Sequence, residues 1–207
     1  MNEQSSAPAS RLSLVPDPAF RELRPVLAER LNQLSAALRV QQFGPLFDPV
    51  MRQTVERGFA AAGAHEGTVW LLDDTEEHLM AAYNTGPQAG QWVGSFKHPM
   101  QTGLIGMVFA SEQPFLENEI WKNARHRKEL DGLLKVETSA MIAVPFYLLR
   151  ACRGVISCVQ LRQTEAGKPE PPGFRPEHLA AMQWTAATLS QLLELRLLSH
   201  AVGWTCE

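Results

Sequence analysis

The sequence predicts an α+β fold in which a central antiparallel sheet of five or six strands has its helices segregated by face. Three observations support this fold class: helix-spaced apolar stripes at both ends of the chain, a strand hairpin in its first half, and two long strand-like segments before the last helix. With 207 residues, 45% of them apolar, the chain can bury one full core. We therefore expect one domain with terminal extensions.

Two helices are predicted before the sheet. In the first, over residues 18–42, Phe20 and five leucines recur at steps of three and four. Pro25 lies inside this pattern, so the helix is kinked there or starts close to it. The second helix has Asp48 as a plausible cap and Pro49 at its first position, and it ends at Gly63.

The middle of the chain reads as the sheet. The apolar runs "GTVWLLDD" and "HLMAAYN" flank the polar turn "DDTEE" and predict a hairpin, and "QWVGSFKH" predicts a third strand. A short helix over 103–111, the extended piece "PFLENE" and a helix over 119–134 with a charged outer face follow.

Two buried strands and a long helix complete the predicted fold. The strands "SAMIAVPFYLL" and "GVISCVQLR" are joined by "RACR". The last helix covers about 176–200 and has apolar residues at heptad-like steps.

Composition and charge exclude several classes of function. The net charge of -3 without a basic stripe argues against nucleic acid as a partner. The polar start "MNEQSSAPAS" and the lack of an apolar run of about 18 residues argue against secretion and membrane spanning, so we expect a cytoplasmic protein. Cys152, Cys158 and Cys206 lack CxxC spacing, and the histidines lack ligand spacing, so neither a disulfide framework nor a metal site is predicted.

The stretch "GLIGMVFASEQPFLENEI", followed by a helix and then by "ETSAMIAVPFYLLRACRGVISCVQL", resembles the GAF domain family. In that family a Gly-x-x-Gly helix precedes a short strand. A later segment, here Ser139 to Pro145, then precedes a strand that starts at a glycine, here Gly154. The resemblance covers about 47–162. It implies terminal helices on one face of the sheet and a lidded ligand pocket on the other, roofed by the insert before "SAMIAVP".

With this resemblance the chain divides into five segments. They are a disordered tail at 1–17, an N-terminal flanking helix at 18–46, a GAF-like core at 47–163, a loop at 164–175 and a C-terminal flanking helix at 176–207.

Members of the family bind cyclic nucleotides, bilins, haem or other small ligands, or bind nothing known. The cyclic-nucleotide pattern Asn-Lys-x-x-x-Phe-x-x-x-Asp-Glu is missing between Gly103 and Gly154, which argues against that ligand. No cysteine lies within 1–151, so the sequence predicts no covalent bilin and offers no lid thiols of the kind that sulfoxide-reducing members use. Cys158 is expected to be a buried apolar filler.

Nine residues are candidates for the pocket. His98, Arg125 and His126 could hold an anion or haem, although "ARHRKE" also reads as the solvated face of a helix. Ordinary core packing explains the apolar candidates equally well; these are Phe96, Leu104, Phe109, Met141, Ala143 and Val159. We expect the carboxylates of "DDTEE" to lie in a solvent-exposed hairpin turn.

No nucleophile, base and orienting acid occur in a recognisable arrangement, so the sequence gives no support to an enzyme. The resemblance implies a signalling or regulatory domain that binds an unidentified small ligand non-covalently and relays it through its flanking helices. We expect a homodimer through the terminal helices, acting on an output protein that the sequence does not identify. The alternative is a ligand-free module for dimerisation or protein interaction.

Overall fold

The computed structural model describes residues 18–162 and 169–204, and the structural statements below concern these residues. The tail predicted at 1–17 lies outside them, as does Cys206. No helix in this part of the chain is long and apolar enough to cross a membrane.

Six strands form one antiparallel sheet in the order β3-β2-β1-β6-β5-β4. The strands are β1 Glu66–Leu72, β2 His78–Asn84, β3 Lys97–Pro99, β4 Phe115–Glu117, β5 Thr138–Leu148 and β6 Ala151–Leu161. The helices are α1 Leu23–Ala37, α2 Val40–Leu46, α3 Pro49–Ala61, α4 Gly103–Ser111, α5 Glu129–Leu134 and α6 Pro176–Ala201. The predicted α+β class with an antiparallel sheet is confirmed.

The two faces of the sheet carry separate hydrophobic clusters because side chains alternate along each strand. In β1, Val69 and Leu71 belong to the cluster that contains α3 and α6 residues, which defines the helix face. Trp70 and Leu72 belong to the opposite cluster, together with Leu104 of α4 and Leu134 of α5. We call this second side the lid face, and residues 85–136 the lid.

The apolar stripe of α6 faces the sheet. Leu189 and Leu193 are fully buried in the helix-face cluster, and Met182 and Ala186 pack beside them. These leucines pack in the core that α6 shares with β5 and α3, so they are not free to face a second copy of the chain. The homodimer through the terminal helices stays a prediction.

The first predicted helix is interrupted. The chain is extended at Leu38, with a ψ of 117°, so α1 ends at Ala37 and α2 begins at Val40. Pro25 lies in the first turn of α1, where its missing N–H removes no intrahelical bond. The predicted cap of α3 is confirmed, since an Asp48 side-chain oxygen accepts the Met51 N–H at 2.9 Å.

The third strand is shorter than predicted. Only Lys97–Pro99 pairs with β2, and a 3-10 turn occupies Ala89–Gln91. The physical reason is that Trp92 is buried in the lid-face cluster and Gly94 turns the chain at a φ of +76°. The β5–β6 turn is also tighter than "RACR" suggests: Leu149 and Arg150, both at positive φ, form it alone.

The predicted helix over 119–134 is broken. A 3-10 turn at Ile120–Lys122 and the short α5 are separated by a non-helical link. The Asn123 side chain accepts the Arg125 N–H at 2.9 Å, a local bond that competes with helix formation. Arg125 and His126 therefore lie in this link and not on a helix face.

Candidate functional site

A cavity of about 80 Å³ lies between the sheet and the lid. This volume holds roughly five to eight water-sized positions, a space for a compact ligand. Alternate residues of two central strands line its floor: Glu66, Thr68 and Trp70 from β1, and Ser157, Val159 and Leu161 from β6. Residues of α4 and α5 line its roof: Leu104, Ile105, Glu129, Leu130, Asp131 and Leu134.

One end of the cavity is an aromatic wall. The Trp70 ring lies 5.7 Å from the Trp92 ring and 6.1 Å from the His98 ring, measured between centroids. Trp92 and Phe96 meet edge to face at 6.2 Å. The Trp70 indole N–H donates to the Ser157 hydroxyl at 2.9 Å, which fixes the ring against the sheet.

His98 is held neutral at this end. Burial lowers the pKa of its imidazole, and the neighbouring Arg127 guanidinium lowers it further. Its Nε2 lies 3.0 Å from the Thr102 carbonyl oxygen, so Nε2 carries the proton and donates it there. Two atoms of the ring lie 2.8 Å from where a Cβ on Gly103 would be, and Gly103 has a φ of +69°. His98 is thus a wall of the cavity and a brace for the start of α4.

At the rim, Asp131 fastens the lid to β5. The Asp131 carboxylate accepts two bonds from Thr138, one from the N–H at 3.0 Å and one from the hydroxyl at 2.9 Å. The same carboxylate lies 3.1 Å from Nε2 of His126. Burial alone would raise the pKa of Asp131, but the bonds from His126 and Thr138 outweigh it and lower the pKa. The His126 side chain is only 6% exposed, so it is no solvated residue.

A second rim pair joins Arg127 and Glu129. Nη2 of Arg127 lies 2.7 Å from the Glu129 carboxylate, and Nη1 donates to the Thr102 hydroxyl at 2.6 Å. The Arg127 guanidinium lowers the pKa of Glu129. Both charges are therefore matched inside the rim.

Glu66 is different. Its carboxylate has no hydrogen bond or ion pair within 18–162 and 169–204, and burial raises its pKa. It packs against Gly86, where an added Cβ would lie 2.3 Å from the carboxylate. Asn84 holds that loop in place, since its side-chain oxygen accepts the Gly86 N–H at 2.7 Å and its amide donates to the Thr68 hydroxyl at 3.0 Å.

The structure brings together six of the nine residues proposed from the sequence. Those lining the cavity are Phe96, His98, Leu104, His126, Met141 and Val159. Phe109 and Ala143 pack in the lid-face cluster without lining the cavity. Arg125 is exposed and points its guanidinium at the Met107 sulfur, 3.3 Å away. Ligand contact by any of the nine remains a prediction.

Apart from His98 and His126, sequence reasoning missed the polar members of the site: Glu66, Thr68, Asn84, Arg127, Glu129, Asp131, Thr138 and Ser157. For β1 a signal was present, because alternation from Trp70 places Thr68 and Glu66 on the same face. For Asp131 there was none, since its partner Thr138 lies beyond the end of α5.

Cys152 and Cys158 lie away from the cavity lining. Cys158 is buried in β6, as expected, and burial raises its pKa to about 12. Burial also raises the pKa of Cys152, to about 11. Among the described residues, no cluster of three or more His, Cys, Asp or Glu side chains could hold a metal ion.

The geometry defines a class of domain in which an antiparallel sheet is backed by helices and holds a lidded cavity on its other face. No protein-family model and no curated protein matches the sequence. Solved structures do match, and several of them are GAF domains.

The GAF domain of a phosphoenolpyruvate-protein phosphotransferase (ptsP) from Coxiella burnetii has a TM-score of 0.58 at 18% identity, over 91% of this chain and 100% of that one. The GAF-B domain of DevS from Mycobacterium smegmatis has a TM-score of 0.54 at 19% identity, over 74% and 96%. A type II free methionine-R-sulfoxide reductase from Thermoplasma acidophilum has a TM-score of 0.51 at 13% identity, over 82% and 96%. The chain therefore has the GAF fold that its motifs predicted.

Proposed function

We propose that the chain is a regulatory domain that binds a small molecule non-covalently in the lid-face cavity and passes the change to its terminal helices. The observation that carries this proposal is a cavity between sheet and lid that is lined by aromatic and aliphatic side chains and by a few polar ones. Such sites, mostly apolar with a few placed polar groups, are typical of small-molecule recognition.

A relay route supports the regulatory part of the proposal. Asp131 ties the lid to the first residue of β5. At the far end of the same strand, Ser35 of α1 donates to the Leu148 carbonyl at 3.4 Å, and the Leu149 N–H donates to Glu194 of α6 at 2.8 Å. One strand therefore links the lid to both terminal helices.

A second contact joins the lid to the start of α6. Asn118 lies directly after β4. Its side-chain amide donates to the Phe174 carbonyl oxygen at 2.9 Å, and its side-chain oxygen accepts the Phe174 N–H at 2.6 Å. If ligand binding shifts the lid, these hydrogen bonds would transmit the movement to both ends of α6.

Binding without catalysis fits the side chains present. The GAF-fold sulfoxide reductase among the similar structures raises the question of thiol chemistry. In this chain the thiols of Cys152 and Cys158 do not line the cavity, and their raised pKa values leave little thiolate. Both are free thiols, a state typical of the cytoplasm, where we propose that the protein acts.

Filling the cavity tests the binding function. Val159→Phe adds a ring at the cavity floor, and Val50→Phe makes the same change at a site that is 60% exposed. Native mass spectrometry of the isolated protein and thermal shifts with a metabolite panel supply the readout. We expect a bound or stabilising compound whose effect is lost in Val159→Phe and kept in Val50→Phe. Protein that is isolated empty and is shifted by no compound would contradict the proposal.

The second candidate function, a ligand-free dimerisation module, is favoured by the outer face of α6. Trp184, Leu195 and Leu198 are 75%, 59% and 37% exposed, and with Gln191 and Thr188 they follow steps of three and four. Such a seam suits pairing with the same helix of a second copy. We propose that this seam, and not the buried Leu189 stripe, forms the homodimer, with or without a ligand.

Two substitutions on α6 separate these roles. Leu195→Asp should leave a folded monomer, because the side chain is exposed. Leu189→Asp should unfold the chain, because a carboxylate would enter the core. Light scattering at tens of micromolar and circular dichroism give the readouts. Wild-type protein that is monomeric at this concentration would refute the homodimer.

A further inference from the structure

The cavity carries an excess of negative charge. Three carboxylates line it, those of Glu66, Glu129 and Asp131, against one guanidinium, that of Arg127. The four charged side chains of the lining therefore sum to -2. This excess favours a cation over an anion.

The excess is concentrated at Glu66. Arg127 is held by Glu129 and Thr102, and Asp131 is held by His126 and Thr138. An anionic ligand at the guanidinium would compete with the carboxylate of Glu129, which already neutralises it. The carboxylate of Glu66 needs no such exchange, because within the described ranges no donor bonds it.

Hydroxyl groups and an aromatic wall lie along the floor from Glu66. Thr68 and Ser157 are paired across β1 and β6, and each accepts a bond, from Asn84 and from Trp70. Each hydroxyl thus keeps a proton to donate into the cavity. Glu66 and Trp70 are four residues apart on one strand, about 13 Å between Cα atoms.

We propose that the cavity takes a small organic cation, a compact ammonium that pairs with Glu66 while its apolar body lies toward Trp70 and Trp92. The carboxylate of Glu66 supplies the charge, and the indole rings supply apolar surface for the body of the ligand. This inference rests on the proposed function, since it requires that the cavity binds a ligand.

Three probes with the same branched carbon skeleton test the charge. They are 3-methylbutylammonium, its neutral isostere 3-methylbutanol, and the anion 3-methylbutanoate, each titrated into the full chain by nuclear magnetic resonance. We expect the ammonium to bind roughly ten- to a hundredfold more tightly than the alcohol, the difference that a hydrogen bond to a charged group makes. The anion should bind most weakly.

Glu66→Gln keeps the shape of the side chain and removes its charge, so it should abolish the preference for the ammonium while the alcohol binds as before. Glu77→Gln, at the exposed tip of the β1–β2 hairpin, is the matched control and should change nothing. If Glu66→Gln fails to fold, the ranking of the probes on the wild-type chain still decides.

The outcomes separate the two proposals. The cation inference is overturned if the alcohol or the anion binds as tightly as the ammonium, or if the preference for the ammonium survives in Glu66→Gln. Either result leaves the cavity as a binding site. Binding of none of the probes also overturns the inference. If the metabolite panel is negative as well, the proposed function itself fails.

Discussion

Removing the Asp131 carboxylate should unfasten the lid. In Asp131→Ala three hydrogen bonds are lost, and the N–H of Thr138, a residue 4% exposed, keeps no partner unless water enters. Bonds to charged groups contribute about 1.5 to 3 kcal/mol each, but they do not add, because the freed groups can reach water once the lid opens. We expect a loss of about 2 to 4 kcal/mol in the free energy of unfolding.

The pH dependence of this loss identifies its cause. The pKa of Asp131 is lower in the folded chain than in the unfolded one, so its contribution is complete above the unfolded value, about 4. It disappears as the pH falls through the folded value. Wild type and Asp131→Ala should therefore converge in acid.

Urea denaturation between about pH 7 and about pH 2 measures this convergence. Asp74→Ala, in the exposed hairpin turn, is the matched control and should cost less than about 0.5 kcal/mol. Amide exchange of α5 should accelerate in Asp131→Ala more than that of β6. A loss no larger than that of Asp74→Ala, or one that stays undiminished in acid, would refute the reasoning.

Three further predictions concern the sheet and its cavity. Because burial raises the pKa of Glu66, Glu66→Gln should be more stable than wild type at neutral pH and lose that advantage below about pH 4, where both states protonate the carboxyl; a pH series of melting temperatures checks this. Ser157→Ala leaves the buried Trp70 indole N–H without an acceptor and should cost about 1 to 3 kcal/mol in urea, with a changed tryptophan emission. A Cβ on Gly154 would lie 1.9 Å from the Trp70 carbonyl oxygen, so Gly154→Ala should lower the free energy of unfolding by about 3 kcal/mol or more. A Cβ on Gly132 in α5 would meet nothing within 4 Å, so Gly132→Ala should raise it by a few tenths of a kcal/mol or more. Equal melting temperatures for the two variants would contradict both predictions.

The sheet was largely predictable because its signals are local. Val69 and Leu71 alternate with Trp70 and Leu72, and the polar turn after Leu72 sets the hairpin. The lid was less predictable because its conformation depends on single contacts. The side chain of Asn123 ends a helical pattern that its neighbours would have continued.

The site was predictable in its apolar part and in two of its polar residues, His98 and His126. Leu104 and Met141 had to lie where lid and sheet meet, and they do. The proposed role of Glu66 depends on an absence: within the described ranges its carboxylate packs against Gly86 and accepts no hydrogen bond, while the guanidinium of Arg127 is bound by Glu129. No spacing in the sequence records which of several carboxylates is left without a partner.

The two-residue turn at Leu149 and Arg150 has a consequence for the order of folding. It joins the two longest strands of the sheet, each of eleven residues, with the shortest possible loop. Hairpins of this kind form within about 1 to 10 μs, long before strands distant in sequence find their partners. We expect β5 and β6 to be the folding nucleus. Substitutions in this hairpin should then slow folding, whereas those in the lid, Asp131→Ala among them, should mainly hasten unfolding.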